Sequence, residues 1–264
     1  MDRVEVDGLR IAFSRSGEGP ALVLAHGALS DSRIWQRQVD DLSEEFTVVA
    51  WDAPGCGQSA DPPESFRMPE YADCLAGFVE TLRLEKPHLL GHSFGGALAL
   101  EVYRRHPTLP ASLILAGGYA GWAGSLPANE VSRRLLFAER AADLLSTGGF
   151  QPRSMPGLFS STMPVDGARS LETIMAESRP VATRAMAHAL AECNLNDMLS
   201  GITVPTLLLY GDVDERSGPE VAKALNARIP TSSLSILPGT GHMAYLESPD
   251  RFDNAIRDFL RPLL

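Results

Sequence analysis

Short apolar runs bounded by glycine, proline or polar residues recur along most of the chain. Continuous runs of this length are typical of strands that are buried on both faces. They predict strands at residues 21–25, 46–51, 88–91, 113–116, 205–211 and 234–237. Before them, alternating apolar positions on either side of Asp7-Gly8 predict a hairpin of strands 4–6 and 9–16.

Amphipathic stretches with helical spacing separate most of these runs. They predict helices at residues 69–82, 95–105, 218–228 and 249–260, the last with Ser248 as its N-cap. Alternating strands and helices are typical of a parallel sheet that helices cover on both faces. We therefore expect an α/β fold with a mostly parallel, doubly wound sheet of eight strands.

The alternation stops over residues 119–200, where no apolar run predicts a strand. Helical stretches at residues 130–145, 167–177 and 181–191 fill this segment, and prolines separate them. We interpret the segment as a helical insertion. Residues 1–118 and 201–264 then form the core domain.

The composition argues against some classes of partner. The chain has 264 residues and a formal net charge of -10, so nucleic acid and anionic membrane surfaces are not expected partners. The first residues lack the basic and apolar pattern of a secretory signal, and the three cysteines show no disulfide or metal spacing. We expect a cytoplasmic location with no membrane attachment.

A glycine-rich turn, Gly91-His92-Ser93-Phe94-Gly95, lies between a predicted strand and a predicted helix. The spacing G-x-S-x-G is that of a nucleophile elbow, which lifts a serine hydroxyl above the sheet. Glycine is needed on both sides because any side chain there would collide where the two backbones meet. Ser93 is therefore the candidate nucleophile, and an ordinary serine in a tight turn is the alternative.

A serine hydroxyl needs an adjacent base, and that base needs an acid to orient it. After such an elbow the acid and the histidine follow in that order, each beyond the end of a strand. Asp212-Val213-Asp214 follows one predicted strand, and His242 follows the next in a glycine-rich loop. We favour His242 as the base and Asp214 as the acid. Asp212 competes, but Asp214 is farther along the loop and can reach back.

Two backbone amides are candidates for binding an oxyanion. Phe94 follows the nucleophile at the start of a helix, and Ala28 follows His26-Gly27 at the exit of an earlier strand. Preorganised amides at these two places would face the reacting carbonyl from two sides. Ala28 and Phe94 are therefore predicted to form the oxyanion hole.

No cofactor or metal is expected. Residues 55–60 match G-x-G-x-x-A, part of a dinucleotide-binding motif, but Pro62 and Pro63 follow where that motif needs a helix. His88 and His92 straddle a strand and its turn, without a nearby pattern of further metal ligands.

Together these motifs resemble the α/β-hydrolase superfamily. The resemblance covers almost the whole chain and rests on His26-Gly27, the loop of residues 52–59, the elbow, and the loops around Asp214 and His242. It implies a serine hydrolase whose helical insertion caps the active site. Ser93 differs from the aspartate of dehalogenases and epoxide hydrolases, and Met243 differs from the tryptophan typical of C–C bond hydrolases. Carboxylesterases, lactonases and similar cofactor-free perhydrolases remain.

The insertion carries the clue to the substrate. Most of its large apolar residues are expected to form its own core, and some to line a pocket. The candidate substrate-binding residues are His26, Trp35, Trp122, Phe137, Phe159 and Met243. Since the arginines of the insertion are scattered, they mark no carboxylate or phosphate site.

We hypothesise hydrolysis of a small to medium, largely apolar carboxylic ester or lactone through an acyl-enzyme. The expected partners are this small-molecule substrate and water. A C–C bond hydrolase of a diketone and a slow-turnover ligand receptor on the same fold are the alternatives. Monomer and homodimer both stay open.

Overall fold

The computed structural model describes residues 1–63 and 65–264 and has an eight-stranded sheet at its centre. In chain order the strands are β1 (Asp2–Val6), β2 (Leu9–Ser16), β3 (Ala21–Ala25), β4 (Thr47–Trp51), β5 (His88–His92), β6 (Ser112–Ala116), β7 (Thr206–Gly211) and β8 (Ser232–Leu237). Each predicted strand is present, with ends that differ by at most two residues.

The strand order across the sheet is β1-β2-β4-β3-β5-β6-β7-β8. Strands β3 to β8 run parallel, and the antiparallel pairs are β1 with β2 and β2 with β4, so the prediction of a mostly parallel sheet is confirmed. The order reverses at β3, which has β4 on one side and β5 on the other. At such a switch point the loops after β3 and β5 separate and leave a crevice at the carboxyl edge.

Helices cover both faces of the sheet. They are α1 (Gln36–Leu42), α2 (Met68–Thr81), α3 (Phe94–Arg105), α4 (Trp122–Ser125), α5 (Ala128–Thr147), α6 (Val165–Ala176), α7 (Pro180–Glu192), α8 (Pro219–Asn226), α9 (Ala244–Glu247) and α10 (Pro249–Leu260). Val23 and Leu89 pack with α2 and α3, whereas Leu24 and Leu90 pack with α1 and α10. Neighbouring residues of one strand thus face opposite cores, which explains the continuous apolar runs.

Helices α4 to α7 lie between β6 and β7, where the sequence predicts a helical insertion. Met186 and Leu190 of α7 belong to the apolar cluster of α2 and α3, and Leu171 of α6 belongs to that of α1 and α10. Arg179 ties α7 to the core, since its guanidinium donates to the carbonyls of Gly55 at 2.8 Å and Ser59 at 2.6 Å. The insertion therefore shares its cores with the sheet. Its bounds at 119 and 200 stay a prediction.

The glycine-rich loop after β4 has a structural reason for its composition. The carboxylate of Asp52 accepts hydrogen bonds from the amides of Ser32 and Gln58, both at 2.8 Å. A Cβ at Gly57 would overlap that carboxylate. Residues 55–60 form turns, and the next helix in the described chain begins at Met68. None of the helices described is long and apolar enough to cross a membrane.

A carboxylate is buried on the face that α1 and α10 cover. Asp253 of α10 is 1% exposed, and its Oδ1 accepts a hydrogen bond from Gln38 Nε2 at 3.1 Å. Its Oδ2 has no hydrogen-bond partner among the described residues. Burial raises the pKa of Asp253 to about 6, although the bond from Gln38 lowers it. The ionised form at neutral pH therefore destabilises the fold.

We expect Asp253→Asn to raise the free energy of unfolding at pH 7 by about 1–3 kcal/mol. The folded pKa is above that of the unfolded chain, so the cost of ionisation builds up as pH rises from about 4 to about 6. The gain should therefore vanish below about pH 4. Urea unfolding across this range measures it, with Asp258→Asn on the exposed side of α10 as the control. Equal stability of Asp253→Asn and wild type at pH 7 would contradict the argument.

Candidate active site

Ser93 lies in a strained turn between β5 and α3. Its backbone has φ 53° and ψ -109°, a conformation that residues other than glycine rarely adopt. A Cβ at Gly91 would overlap the carbonyl of Gly95, and one at Gly95 would overlap the carbonyl of Ala25. The Ser93 amide donates to the Ala116 carbonyl at 2.9 Å and anchors the turn to β6. The two glycines thus let strand and helix approach closely enough to present Ser93 at the crevice.

A buried histidine and carboxylate pair lies at the same edge of the sheet. His242 Nδ1 is 2.8 Å from Asp214 Oδ2, and both side chains are 1% exposed. Asp214 Oδ1 also accepts from the amides of Arg216 at 2.7 Å and Ser217 at 2.8 Å. Asp212 lies elsewhere and accepts from the Gly239 amide at 2.6 Å. The geometry therefore joins Asp214 to the histidine, while Asp212 closes a turn.

The Asp214 carboxylate is held in its ionised form. Burial alone would raise its pKa, but the charge and hydrogen bond of His242 and the amides of Ser217 and Arg216 lower the pKa to about 2. Gly117, with φ +53°, leaves room for the pair, because a Cβ there would lie 3.2 Å from His242 Nδ1. Asp214 thus stays charged through the neutral range and can stabilise a charged imidazole.

A second histidine, His92, contacts His242 through a hydrogen bond and through its ring. Its Nε2 lies 3.0 Å from the carbonyl of His242, and the two rings are 4.7 Å apart. Burial lowers the pKa of His92 well below its usual value, and the charge of His242 lowers it further. His92 is therefore neutral and donates its Nε2–H to that carbonyl. Sequence reasoning considered His92 only as a metal ligand and missed this role.

The two predicted oxyanion amides lie at the crevice. Phe94 is the first residue of α3, so its amide has no acceptor within the helix. The amide of Ala28 forms no backbone hydrogen bond within the described chain. Ala28 and Ser93 line the same cavity. Both amides therefore stay candidates for binding an oxyanion.

Two adjoining cavities open at this edge. The serine cavity is lined by Ser93, His242, Ala28 and apolar residues of the insertion. The arginine cavity is lined by Arg133, Arg134 and Arg216 together with Phe137 and other apolar residues. The lining residues that both cavities share are Ala28, Leu29, Trp122, Met155, Leu190 and Arg216. The two cavities therefore adjoin, and Arg216 is one of the residues between them.

Three of the predicted substrate-binding residues line these cavities. Trp122 lines both, Met243 lines the serine cavity and Phe137 lines the arginine cavity. Their positions on α4, on α5 and beside His242 bring residues that are distant in the chain to one place. They stay candidates for contact with a substrate.

The other three predicted residues line neither of these two cavities. His26 is buried and bridges two strand exits, with Nδ1 2.8 Å from the Gly27 carbonyl and Nε2 accepting from the Ala53 amide at 3.0 Å. Trp35 is fully buried, with its ring 4.4 Å from that of Tyr245. Phe159 is partly buried and packs against the same core, with the guanidinium of Arg153 over its ring. These three side chains complete local packing instead of lining either cavity.

Arg216 is the cavity residue that sequence reasoning missed. The expectation that no arginine cluster marks an anion site considered only the scattered arginines of the insertion. Folding brings Arg133 and Arg134 of α5 next to Arg216, which lies two residues beyond Asp214. That short spacing from a candidate catalytic residue was the available signal.

Comparisons with known proteins cover nearly the whole chain. The sequence model of the alpha/beta hydrolase family matches residues 22–255. A proline iminopeptidase from Lactobacillus helveticus is 30% identical over 95% of this chain and 92% of its own. A malate-bound esterase from Thermogutta terrifontis superposes with a TM-score of 0.88 at 30% identity, covering 99% of each chain. An enol-lactonase from Burkholderia xenovorans reaches 0.87 at 22% identity, covering 98% of this chain and 100% of its own, and shares the fold.

We expect Gly91→Ala to lower the free energy of unfolding by about 3 kcal/mol or more, because the new methyl group meets backbone that is unable to move aside. Gly201→Ala is the matched control, since a Cβ there meets no atom within 4 Å. It should change stability by less than about 1 kcal/mol. Urea unfolding measures both variants. Similar stabilities would show that the contact between β5 and α3 is not constrained by glycine.

Proposed function

The chain belongs to the alpha/beta hydrolase family, and from that premise we propose that it is a serine hydrolase of a small to medium carboxylic ester or lactone. The observation that carries the proposal is the strained turn at Ser93 beside a cavity that His242, paired with Asp214, also lines. The similarity to an esterase at 30% identity over nearly the whole chain supports the same reaction class.

In the first half of the proposed reaction, Ser93 Oγ attacks the carbonyl carbon of the substrate. His242 Nδ1 is engaged with Asp214, so Nε2 is the nitrogen that accepts the serine proton. The ionised Asp214 holds the ring in this orientation and stabilises its charged form. The negative charge that develops on the substrate oxygen is stabilised by the amides of Ala28 and Phe94.

The second half returns the enzyme to its starting state. His242 gives its proton to the departing alcohol oxygen as the tetrahedral intermediate collapses to an acyl-enzyme. It then takes a proton from water, whose oxygen attacks the acyl carbon. The intermediate collapses again, Ser93 regains its proton from His242, and the carboxylic acid leaves.

The lining of the serine cavity supports a partly apolar substrate. Leu158, Leu171 and Met175 of the insertion face this cavity together with Met243. An apolar wall excludes water from the reacting carbonyl and strengthens the hydrogen bonds that bind the oxyanion. The cavities therefore suit an ester or lactone with an apolar part next to the carbonyl.

We expect Ser93→Ala to lower turnover of an ester substrate by about a thousandfold or more, because the acyl-enzyme has no other nucleophile on which to form. A screen of nitrophenyl esters and lactones of increasing size identifies the substrate, and steady-state kinetics measures the loss. Ser233→Ala, an exposed serine on β8, is the matched control and should retain wild-type turnover.

Three outcomes would contradict the proposal. Near-normal turnover by Ser93→Ala would show that another group is the nucleophile. Saturable ligand binding by the wild-type protein without turnover in the whole screen would favour a receptor on this fold. Faster cleavage of a vinylogous diketone than of any ester would favour the C–C bond hydrolase.

Substitution of the two aspartates separates the proposed acid from its neighbour. We expect Asp214→Asn to lower kcat by roughly a thousandfold, because the amide neither stabilises the charged imidazole nor holds the required tautomer. Asp212→Asn should keep wild-type kcat, since Asp212 is exposed and bonded to Gly239. Steady-state kinetics on the same ester measures both. Equal losses in the two variants would contradict the assignment of Asp214.

A further inference from the structure

Arg216 carries a cationic group that lacks an anionic partner. Its Nη1 donates to the carbonyl of Pro156 at 3.0 Å, and its buried Nε has no hydrogen-bond partner among the described residues. Within the described chain it forms no ion pair. Both hydrogen-bonding groups of its backbone are occupied, since the amide donates to Asp214 and the carbonyl accepts from Arg134 and Tyr119. The loop is thus fixed while part of the guanidinium is left unsatisfied.

The surroundings of Arg216 add positive charge. Arg134 lies 2.6 Å from Glu130 and Arg133 lies 2.7 Å from the same carboxylate. Of the three arginines that line the arginine cavity, Arg133 and Arg134 share the single carboxylate of Glu130. This local excess of cations contrasts with the net charge of -10 for the whole chain.

A buried guanidinium N–H without an acceptor is costly, and Arg216 Nε is such a group. Burial lowers the pKa of Arg216, and the charge of Arg134 lowers it further, yet an arginine keeps its proton in proteins. A carboxylate from a ligand would supply the missing acceptor, and its two oxygens match the planar fork of a guanidinium. The apolar side chains of Leu29, Trp122 and Phe137 next to it would strengthen that pairing.

We propose that the substrate of this site carries a carboxylate in addition to the carbonyl that is cleaved, and that Arg216 binds this carboxylate. The inference rests on the proposed function and narrows its substrate class. Arg216 lines both the serine cavity and the arginine cavity, so a single molecule can reach Ser93 and Arg216 together. Arg133 and Arg134 are already paired with Glu130, so among the described residues that line this cavity Arg216 is the arginine without an ion pair, which matches a monoanion.

The test compares esters that differ only in this charge. One series carries the carboxylate on the acyl side, as monoethyl succinate, glutarate and adipate. A second series carries it on the alcohol side, as acetoxyacetate, 3-acetoxypropionate and 4-acetoxybutyrate. Each acid is matched with its neutral primary amide, which has nearly the same shape. The readout is the ratio of kcat/KM for the acid to that for the amide.

We expect the wild-type enzyme to prefer at least one acid over its amide by about ten- to a hundredfold, the range of a hydrogen bond to a charged group. Arg216→Gln should bring this ratio close to one, and Arg216→Lys should restore part of it. Arg169→Gln, an exposed arginine on α6, should keep the wild-type ratio. Because the readout is a ratio, a general loss of activity in an Arg216 variant leaves the comparison valid.

The outcomes separate this inference from the proposed function. Hydrolysis of neutral and charged esters without preference by the wild-type enzyme would overturn the role of Arg216 and leave the esterase proposal standing. A preference for the acid that persists in Arg216→Gln would show that another residue binds the carboxylate. Failure of every ester in both series, neutral and charged, would count against the esterase itself.

Discussion

The close approach of two backbones, at the end of β5 and the start of α3, is the constraint on which the site depends. Gly91 and Gly95 permit it, and Ser93 between them adopts a conformation that few residues tolerate. The surrounding strands hold this strain, since the Ser93 amide is bonded to β6. A turn held this tightly fixes the hydroxyl relative to the sheet, and every other group of the site is positioned against the same sheet edge.

The parallel sheet brings the remaining groups to that edge. Ala28 follows β3, Asp214 follows β7 and His242 follows β8, and the carboxyl ends of all these strands lie on one side. Charge and burial then set the protonation states, because Asp214 stays ionised beside His242 while burial keeps His92 neutral. The insertion supplies the apolar walls, and its α7 shares a core with α2 and α3. The topology of the sheet thus determines both where the groups of the candidate site lie and which charged groups are neighbours.

The features that could be predicted from the sequence are those that depend on chain order and spacing. Strands that face two cores read as continuous apolar runs, and the order of Ser93, Asp214 and His242 follows from the elbow and the strand ends. Which cavity a side chain faces is a different matter, because it depends on packing between distant elements. Trp35 is apolar and conspicuous in the sequence, yet it turns into the core beside Tyr245. Arg216 lies in an irregular loop, where no periodicity indicates the direction of a side chain.

The most direct measurement of the central claim is a crystal structure of the protein after reaction with an aryl phosphonate ester, which mimics the tetrahedral intermediate. Our account predicts a bond from phosphorus to Ser93 Oγ, with one phosphoryl oxygen between the amides of Ala28 and Phe94 and with His242 Nε2 facing Ser93. Phosphorus bonded to another residue, or a phosphoryl oxygen that points away from both amides, would contradict it.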